Sequence, residues 1–296
     1  MERKNFAIRS FILGLLAETS IHSGTGRSAG VIDLPVARET ATDYPFIPGS
    51  GLKGSLRDRA TQLNMNEIEE VFGNAGVGGT LLVSDARILL LPVRSLTGTY
   101  QWVTCPLVLE RYWRDRKRCG FDVGDFELPR VEDGHCLWSA RGSNGTSTAN
   151  TLILEERELT IEGPCPQIIS DAIKPLIKHE KTAERLARQL TVVDDNTFAY
   201  FCRFALPVQA RNVLDDETKT SKNLWYEESL APDTLMYAII LARGDKAHNF
   251  VRRLFLDSNP YLQVGGNETV GHGWMAVKVY EAETKDERNE RTSTES

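Results

Sequence analysis

The sequence lacks a long apolar run, a paired set of cysteines and an excess of basic charge. No apolar run approaches the roughly 20 residues that cross a bilayer, so a helical membrane span is excluded. The five cysteines are odd in number, widely spaced and without a C-x-x-C pair, which disfavours a disulfide framework and a zinc site. The first residues run directly into a predicted strand, so we expect no signal peptide and a cytoplasmic location.

The net charge of −6 over 296 residues gives no general attraction for nucleic acid. Its distribution is uneven, because residues 1–60 contain eight basic and six acidic side chains, whereas residues 281–296 contain three basic and six acidic ones. A bound RNA needs a local basic track rather than a basic average. We therefore expect RNA to be held cooperatively in an assembly, and the charged 281–296 tail to be disordered.

A glycine-rich stretch from Thr19 to Arg59 dominates the sequence. An apolar strand leads into a loop with Gly24 and Gly26, and Asp33 follows in a Val-Ile-Asp-Leu-Pro turn. The loop fits G-x-G-x-x-A, but Pro35 interrupts the helix that a dinucleotide site needs. A dinucleotide-binding fold is therefore disfavoured.

The end of this stretch predicts a helix start with Ser50 as the N-cap. Lys53 and Arg57 are four residues apart and share one face of that helix. A helix start leaves backbone N–H groups unpaired, so a phosphate site and a simple turn with two solvated cations are equally favoured. The spacing of Gly49 and Lys53 is too short for a P-loop.

The order of predicted elements indicates an α+β fold with a modified ferredoxin-like (RRM-like) core over residues 1–280. Strand, helix and strand are predicted at 5–21, 50–63 and 81–93, and again from 234 to 279. Leu52, Leu56 and Leu63 are expected to face the core from the first helix. Further predictions are an insertion at 94–165, a helical region at 166–189, a strand at 191–206 and a polar-tipped hairpin at 207–225. The base-stacking aromatic signature of an ordinary RRM is absent, so RNA contacts are expected in the glycine loops and the hairpin.

Four ordered motifs resemble those of CRISPR RAMP proteins, and most of all the repeated backbone subunit of type III-B (Cmr) effector complexes. They lie at residues 21–54, at 93–107, at 224–228 and at 264–274. The resemblance implies a RAMP fold in which the 207–225 hairpin is a thumb that wedges between bases of the guide–target duplex. It also implies binding of crRNA along its length, cleavage of complementary single-stranded target RNA at six-nucleotide intervals, and Mg²⁺ or another divalent cation. The implied partners are further copies of the chain in a helical filament and other Cmr subunits.

The resemblance assigns catalysis and metal binding to Asp33. Without the resemblance, the surrounding sequence favours a structural role for Asp33 in forming the turn. RNA carries its own nucleophile, the 2′-hydroxyl, and a nearby carboxylate can accept its proton or hold a metal ion. His22, Glu227 and Glu228 are further catalytic candidates, and for a lone histidine a structural role is the more frequent one. The candidate RNA contacts are Gly24, Gly26, Ser50, Lys53, Arg57, Arg211, Lys219, Gly265 and Gly266.

Two functions remain open from the sequence. One is a metal-dependent endoribonuclease subunit, and the other is a non-catalytic RNA-binding scaffold of a type III effector, similar to the type III-A backbone. Loss of target cleavage on replacing Asp33 separates them.

Overall fold

The computed structural model describes residues 8–24, 26, 30–96, 98–124, 126–140, 150–218 and 220–282. The strands are β1 Ile8–Ala17, β2 Phe46–Ile47, β3 Gly73–Asn74, β4 Val77–Gly78, β5 Leu81–Val83, β6 Ala86–Arg94, β7 Tyr100–Thr104, β8 His135–Trp138, β9 Thr151–Leu154, β10 Arg157–Gly163, β11 Leu190–Val193, β12 Val208–Leu214, β13 Ser221–Glu228, β14 Leu235–Arg243, β15 Tyr261–Gln263 and β16 Trp274–Glu281. The helices are α1 Gly49–Gln62, α2 Ile68–Phe72, α3 Pro106–Arg118, α4 Gln167–Ile173, α5 Glu180–Glu184, α6 Leu186–Gln189, α7 Asp195–Phe204 and α8 Asp245–Leu254, with 3₁₀ turns at Lys174–Leu176 and Glu268–Val270. None of the helices in these described ranges is long and apolar enough to cross a membrane.

The centre of the fold is an antiparallel sheet in which β1 lies between β14 and β16, and β6 pairs with the other side of β14. The β1 run from Phe11 to Ala17 is fully buried, as its continuous apolar sequence predicts for a strand covered on both faces. Helix α1 buries Leu52, Leu56 and Ala60, which recur every four residues on one face. Leu63 lies just past the helix end and is 39% exposed, so its predicted inward position is wrong.

The segment from 94 to 165 continues this sheet beyond β6. Strand β7 pairs antiparallel with β6 and parallel with β11, and β8, β10 and β9 follow outward from β11. The large sheet is therefore mixed rather than purely antiparallel.

The predicted strand at 191–206 is wrong beyond Val193. Asp194 caps a helix there, because its Oδ1 accepts the backbone N–H groups of Asn196 and Thr197, each at 2.9 Å. Helix α7 then buries Phe198 and Phe201. The predicted helical region at 166–189 is broken into α4, a 3₁₀ turn at Pro175, α5 and α6.

Strands β12 and β13 form a separate two-stranded antiparallel hairpin in the region where the sequence predicts one. The second strand continues to Glu228 and so carries both glutamates that the sequence singles out. Several large apolar side chains of the hairpin are exposed, among them Val213, Leu214, Leu224 and Tyr226.

Candidate functional site

The segment that carries Asp33 joins the hairpin as a short third strand. Leu34 pairs in parallel with Glu227, its N–H donates to Tyr226 O at 3.1 Å, and its carbonyl accepts Glu228 N–H at 2.9 Å. One side-chain contact adds to this pairing, because Asp33 Oδ2 accepts the N–H of Tyr226 at 2.8 Å. Residues that are 193 positions apart in sequence are thereby brought together.

Glu228 lies beneath this added strand with 2% of its surface exposed. Its Oε2 accepts the N–H of Val36 at 3.0 Å, and its Oε1 accepts from Arg38 Nη2 at 2.7 Å. Arg38 Nη1 also donates to the carbonyl oxygens of Asp43 at 2.9 Å and Cys202 at 2.8 Å. Both carboxylate oxygens of Glu228 are thus engaged inside the protein. The sequence analysis does not name Arg38 as a site residue. The only signal for it in the sequence is its position five residues after Asp33.

The ring of His22 is oriented by the backbone of the same strand. Its Nδ1 lies 2.8 Å from Glu228 O, and a carbonyl oxygen only accepts, so Nδ1 is the protonated nitrogen of the neutral ring. The other ring nitrogen, Nε2, is then an acceptor, and it makes no hydrogen bond with the described residues. The side chain is 12% exposed, and the carboxylate of Glu227 approaches Nδ1 to 3.9 Å.

Glu227 is buried at the root of the hairpin, where it links the hairpin to the last glycine loop. Asn267 Nδ2 donates to its Oε1, and Arg211 Nε lies 3.5 Å from its Oε2. Arg211 Nη2 also lies 3.4 Å from Nε2 of His272. Arg211 therefore points into the root of the hairpin, while Lys219 lies outside the described residues.

Two glycine loops enclose His22. A Cβ atom added to Gly24 would come within 2.5 Å of His22 Nε2, and one added to Gly265 would come within 2.3 Å of His22 O. Gly265 also has a φ of +85°, which side chains rarely adopt. These two positions favour glycine because the ring and backbone of His22 occupy the space that a Cβ atom would need.

Two clefts meet at His22 and Leu34, which line both of them. The first has a volume of about 360 Å³ and holds Asp33, Glu227 and Asn267 together with hairpin residues. The second has a volume of about 450 Å³, and its predicted RNA contacts are Gly24, Gly26, Ser50, Gly265 and Gly266. The structure therefore brings three of the four catalytic candidates to one cleft and five of the RNA-contact candidates to its neighbour.

The start of helix α1 differs from its prediction. Pro48 occupies the N-cap position and Ser50 is the second helical residue, so Ser50 is not the cap. The N–H of Gly49 is bound instead by Asp85 Oδ1 at 2.7 Å, which places an acidic side chain at the helix start. Arg57 donates to Gly73 O at 3.0 Å, whereas Lys53 has no hydrogen bond or ion pair within the described part of the chain. Lys53 is therefore the cation of this helix that remains available to a ligand.

Asp33 has the donor chemistry for a divalent cation. Its Oδ1 makes no hydrogen bond among the described residues, and Mg²⁺ is commonly held by one or two carboxylates together with substrate phosphates. A cluster of three potential ligands elsewhere in the described chain consists of Glu132, His135 and Glu162, with ligand atoms within 4.8 Å of one another. Asp33 is not part of that cluster, so a metal at Asp33 would take further ligands from water and from the RNA phosphates.

Comparison with known proteins identifies the class to which this fold and site belong. The family model of the RAMP superfamily matches residues 15–276. Oligomeric Cmr4 from Pyrococcus furiosus has the same fold, with a TM-score of 0.73 and 29% identity over 94% of this chain and 100% of that one. A chain of the type III-B Cmr-beta complex bound to cognate target RNA also shares the fold, with a TM-score of 0.73 and 20% identity over 93% of this chain and 98% of that one. The chain belongs to the RAMP superfamily.

Curated relatives narrow this class. The chain is 33% identical over 290 residues to the CRISPR system Cmr endoribonuclease Cmr4 of Pyrococcus furiosus, covering 93% of this chain and 97% of that protein. It is 22% identical over 315 residues to the CRISPR system CMR subunit Cmr4 of Saccharolobus solfataricus, covering 92% and 96%. Within the superfamily, the resemblance is therefore to the Cmr4 proteins, as the sequence motifs indicate.

Proposed function

We propose that this chain is a repeated backbone subunit of a type III-B CRISPR effector that binds crRNA and cleaves complementary single-stranded RNA at six-nucleotide intervals. The observation that carries the proposal is the meeting of two clefts at His22, one with Asp33 and the other formed by glycine loops. The endoribonuclease name of the Pyrococcus relative and the target RNA in the Cmr-beta complex support it. The proposed partners are crRNA, target RNA, further copies of the chain in a helical filament and other Cmr subunits, all in the cytoplasm.

The strand order supports a modified ferredoxin-like core beneath this function. Strands β1, β6, β14 and β16 lie in the order β16–β1–β14–β6, and every neighbouring pair is antiparallel. Helix α1 follows the first of them and α8 follows the third, as in a βαββαβ unit. The hairpin and the strands between 94 and 193 are additions to this core.

The chemistry that the site supports is attack of the RNA 2′-hydroxyl on its own phosphate. The carboxylate of Asp33 can accept the 2′ proton through Oδ1, and the same carboxylate would hold Mg²⁺, which when bound would supply neutralisation of the phosphate charge. When protonated, His22 Nε2 can donate a proton to the departing 5′-oxygen. The products are a 2′,3′-cyclic phosphate and a 5′-hydroxyl end. Cleavage needs the 2′-oxygen in line with the leaving oxygen, so positioning of the nucleotide is the main demand on the protein.

The hairpin supplies side chains suited to that positioning. Asn223, Leu224 and Trp225 line the cleft of Asp33, and Leu224 is 54% exposed. Apolar side chains that insert between bases unstack them, and aromatic side chains can stack on a base of any sequence. We propose that the hairpin splays the target strand at each copy of the site.

A non-catalytic scaffold is the second candidate. It is favoured by the engagement of Asp33 Oδ2 with the backbone N–H of Tyr226, since this contact alone gives Asp33 a role in shaping its loop. In this case another subunit would do the chemistry, and the chain would only hold guide and target.

The test reconstitutes the complex with a guide RNA and adds end-labelled complementary RNA, with Mg²⁺ and then with EDTA. We expect a ladder of evenly spaced cuts that requires the metal and disappears in Asp33→Asn and Asp33→Ala, with target binding kept. Asp33→Asn is the sharper variant, because its amide oxygen can still accept the Tyr226 N–H. Tight binding with intact target in the unaltered complex would establish the scaffold instead.

A further inference from the structure

The strand that carries Asp33 is attached to the hairpin by few bonds. Two backbone hydrogen bonds join Leu34 to β13, and one side-chain bond joins Asp33 to Tyr226. The next residue that could extend the pairing, Val36, gives its N–H to the carboxylate of Glu228 instead of to a backbone carbonyl. A side chain therefore replaces the backbone of the ladder with β13 two residues after the Leu34–Glu227 bridge, while the other edge of Val36 is bridged to Gly24.

That carboxylate is itself fixed by Arg38, which belongs to the same segment as Asp33. The Arg38 side chain is 17% exposed and the Glu228 side chain 3%, and their charged atoms lie 2.7 Å apart. Arg38 is anchored further by the carbonyl oxygens of Asp43 and Cys202. Neither Arg38 nor Glu228 lines the cleft that holds Asp33.

We propose that Arg38 and Glu228 are positioning residues, whose buried pair holds the Asp33 strand against β13 and so fixes the Asp33 carboxylate for cleavage. The inference rests on the proposed function of Asp33. The physical reason is that a buried, hydrogen-bonded ion pair is rigid, and that removing one partner leaves the other charge uncompensated. Small misplacement of a reacting group costs rate rather than binding, about a hundredfold for about 1 Å.

The variants that test this are Glu228→Gln, Arg38→Met and Arg38→Lys. The Glu228→Gln change keeps the size of the side chain but offers only one acceptor for two donors, and Arg38→Lys keeps the charge but not the fork of donors. The matched control is Asp115→Asn, which breaks the ion pair of another buried carboxylate. There Asp115 Oδ2 accepts from Arg87 at 2.8 Å and from the Tyr237 hydroxyl at 3.0 Å, and Asp115 lines neither cleft.

Two measurements are compared across these variants. The first is single-turnover cleavage against target affinity in the reconstituted complex, and the second is hydrogen exchange of the Tyr226 and Val36 amides in the full chain without RNA. We expect Glu228→Gln and Arg38→Met to slow cleavage about tenfold to a hundredfold with target affinity within about twofold. Exchange at both amides should become faster, Arg38→Lys should be intermediate, and Asp115→Asn at matched thermal stability should change neither measurement.

The proposal is overturned if the Tyr226 amide exchanges at the unaltered rate in Glu228→Gln and Arg38→Met, or if Asp115→Asn slows cleavage equally. Because exchange is measured without RNA, it decides the positioning of Asp33 independently of activity. An unaltered complex that binds but does not cleave the target would contradict the proposed function, while the exchange result would still stand.

Discussion

At the scale of single residues, the ring of His22 depends on the absence of a side chain at Gly24. We expect Gly24→Ala to push the ring away, because the added Cβ would lie 2.5 Å from Nε2. Cleavage should fall about tenfold or more, since Nε2 is the atom proposed to donate the proton. The measurement is the single-turnover rate of the reconstituted complex.

Gly51→Ala is the matched control for that substitution. Gly51 lines the same second cleft, and a Cβ there meets nothing within 4 Å. It lies in helix α1, where alanine is favoured over glycine by about 0.5–1 kcal/mol. Equal losses of cleavage from both variants would contradict the role given to the His22 ring.

Lys53 is the cation at the start of α1 that has no partner within the described residues. We expect Lys53→Ala to weaken guide binding and to lower the slope of log affinity against log salt by about 0.7, the value for one contact to a single strand. Affinity measured at several salt concentrations gives the slope. Lys246→Ala, which removes a cation paired with Glu67 and Glu70, should leave it unchanged.

At the scale of elements, the tip of the hairpin is organised by Asp215. The hydrogen bond from Lys222 and the backbone N–H groups of Thr218 and Glu217 lower the pKa of Asp215 to about 2. A carboxyl whose pKa is lowered on folding stabilises its surroundings above its unfolded pKa, near 3.8, and loses that contribution as pH falls toward 2.

We therefore expect the order of the hairpin tip to be lost on acidification below about pH 3.8, with the Asp215 carboxyl titrating near 2. Carbon-13 shifts of the carboxyl group measure this directly. Asp215→Asn should remove the pH dependence of the tip, while Asp216→Asn should not. A titration of Asp215 at the ordinary value would contradict the contacts at the tip.

The elements that the sequence predicts well are those with a continuous apolar run or a clear periodic stripe. Strand β1 is of this kind and lies within the predicted range 5–21, and helix α8 lies within the strand, helix and strand predicted from 234 to 279. Helix α7 was missed because its run of aromatic residues is typical of a strand, although Asp194 ahead of it was a readable cap. Its buried residues Phe198, Phe201 and Cys202 follow helical spacing.

The candidate site was predictable as a set of residues but not as an arrangement. Motifs pointed to His22, Asp33 and Glu227, which line one cleft. The contacts that orient them join residues 193 and 206 positions apart, and no local pattern encodes such pairings. The local sequence predicts Ser50 as the cap of α1 for a related reason, since Asp85, which binds the helix start, lies in the distant connection between β5 and β6.

At the scale of the whole molecule, the proposed function gives each copy of the chain one Asp33 site, so the number of cuts would measure the length of the assembly. We expect a guide RNA lengthened by six nucleotides to admit one more subunit and to add one band to the ladder of products. Native mass spectrometry of the complex measures the subunit number alongside the cleavage pattern. A longer guide that adds a subunit without adding a cut would contradict one cleavage site per subunit.

The position of β1 at the centre of the sheet has a consequence for synthesis of the chain. Its partners, Leu235–Arg243 and Trp274–Glu281, lie far downstream in the sequence, so the apolar run Phe11–Ala17 leaves the ribosome well before these two strands can pair with it. Closing such distant pairings is slow, and exposed apolar strands attract chaperones and promote aggregation. The proposed assembly on a guide RNA would therefore follow synthesis of both partner strands, and a product truncated before them would leave β1 without its neighbours in the sheet.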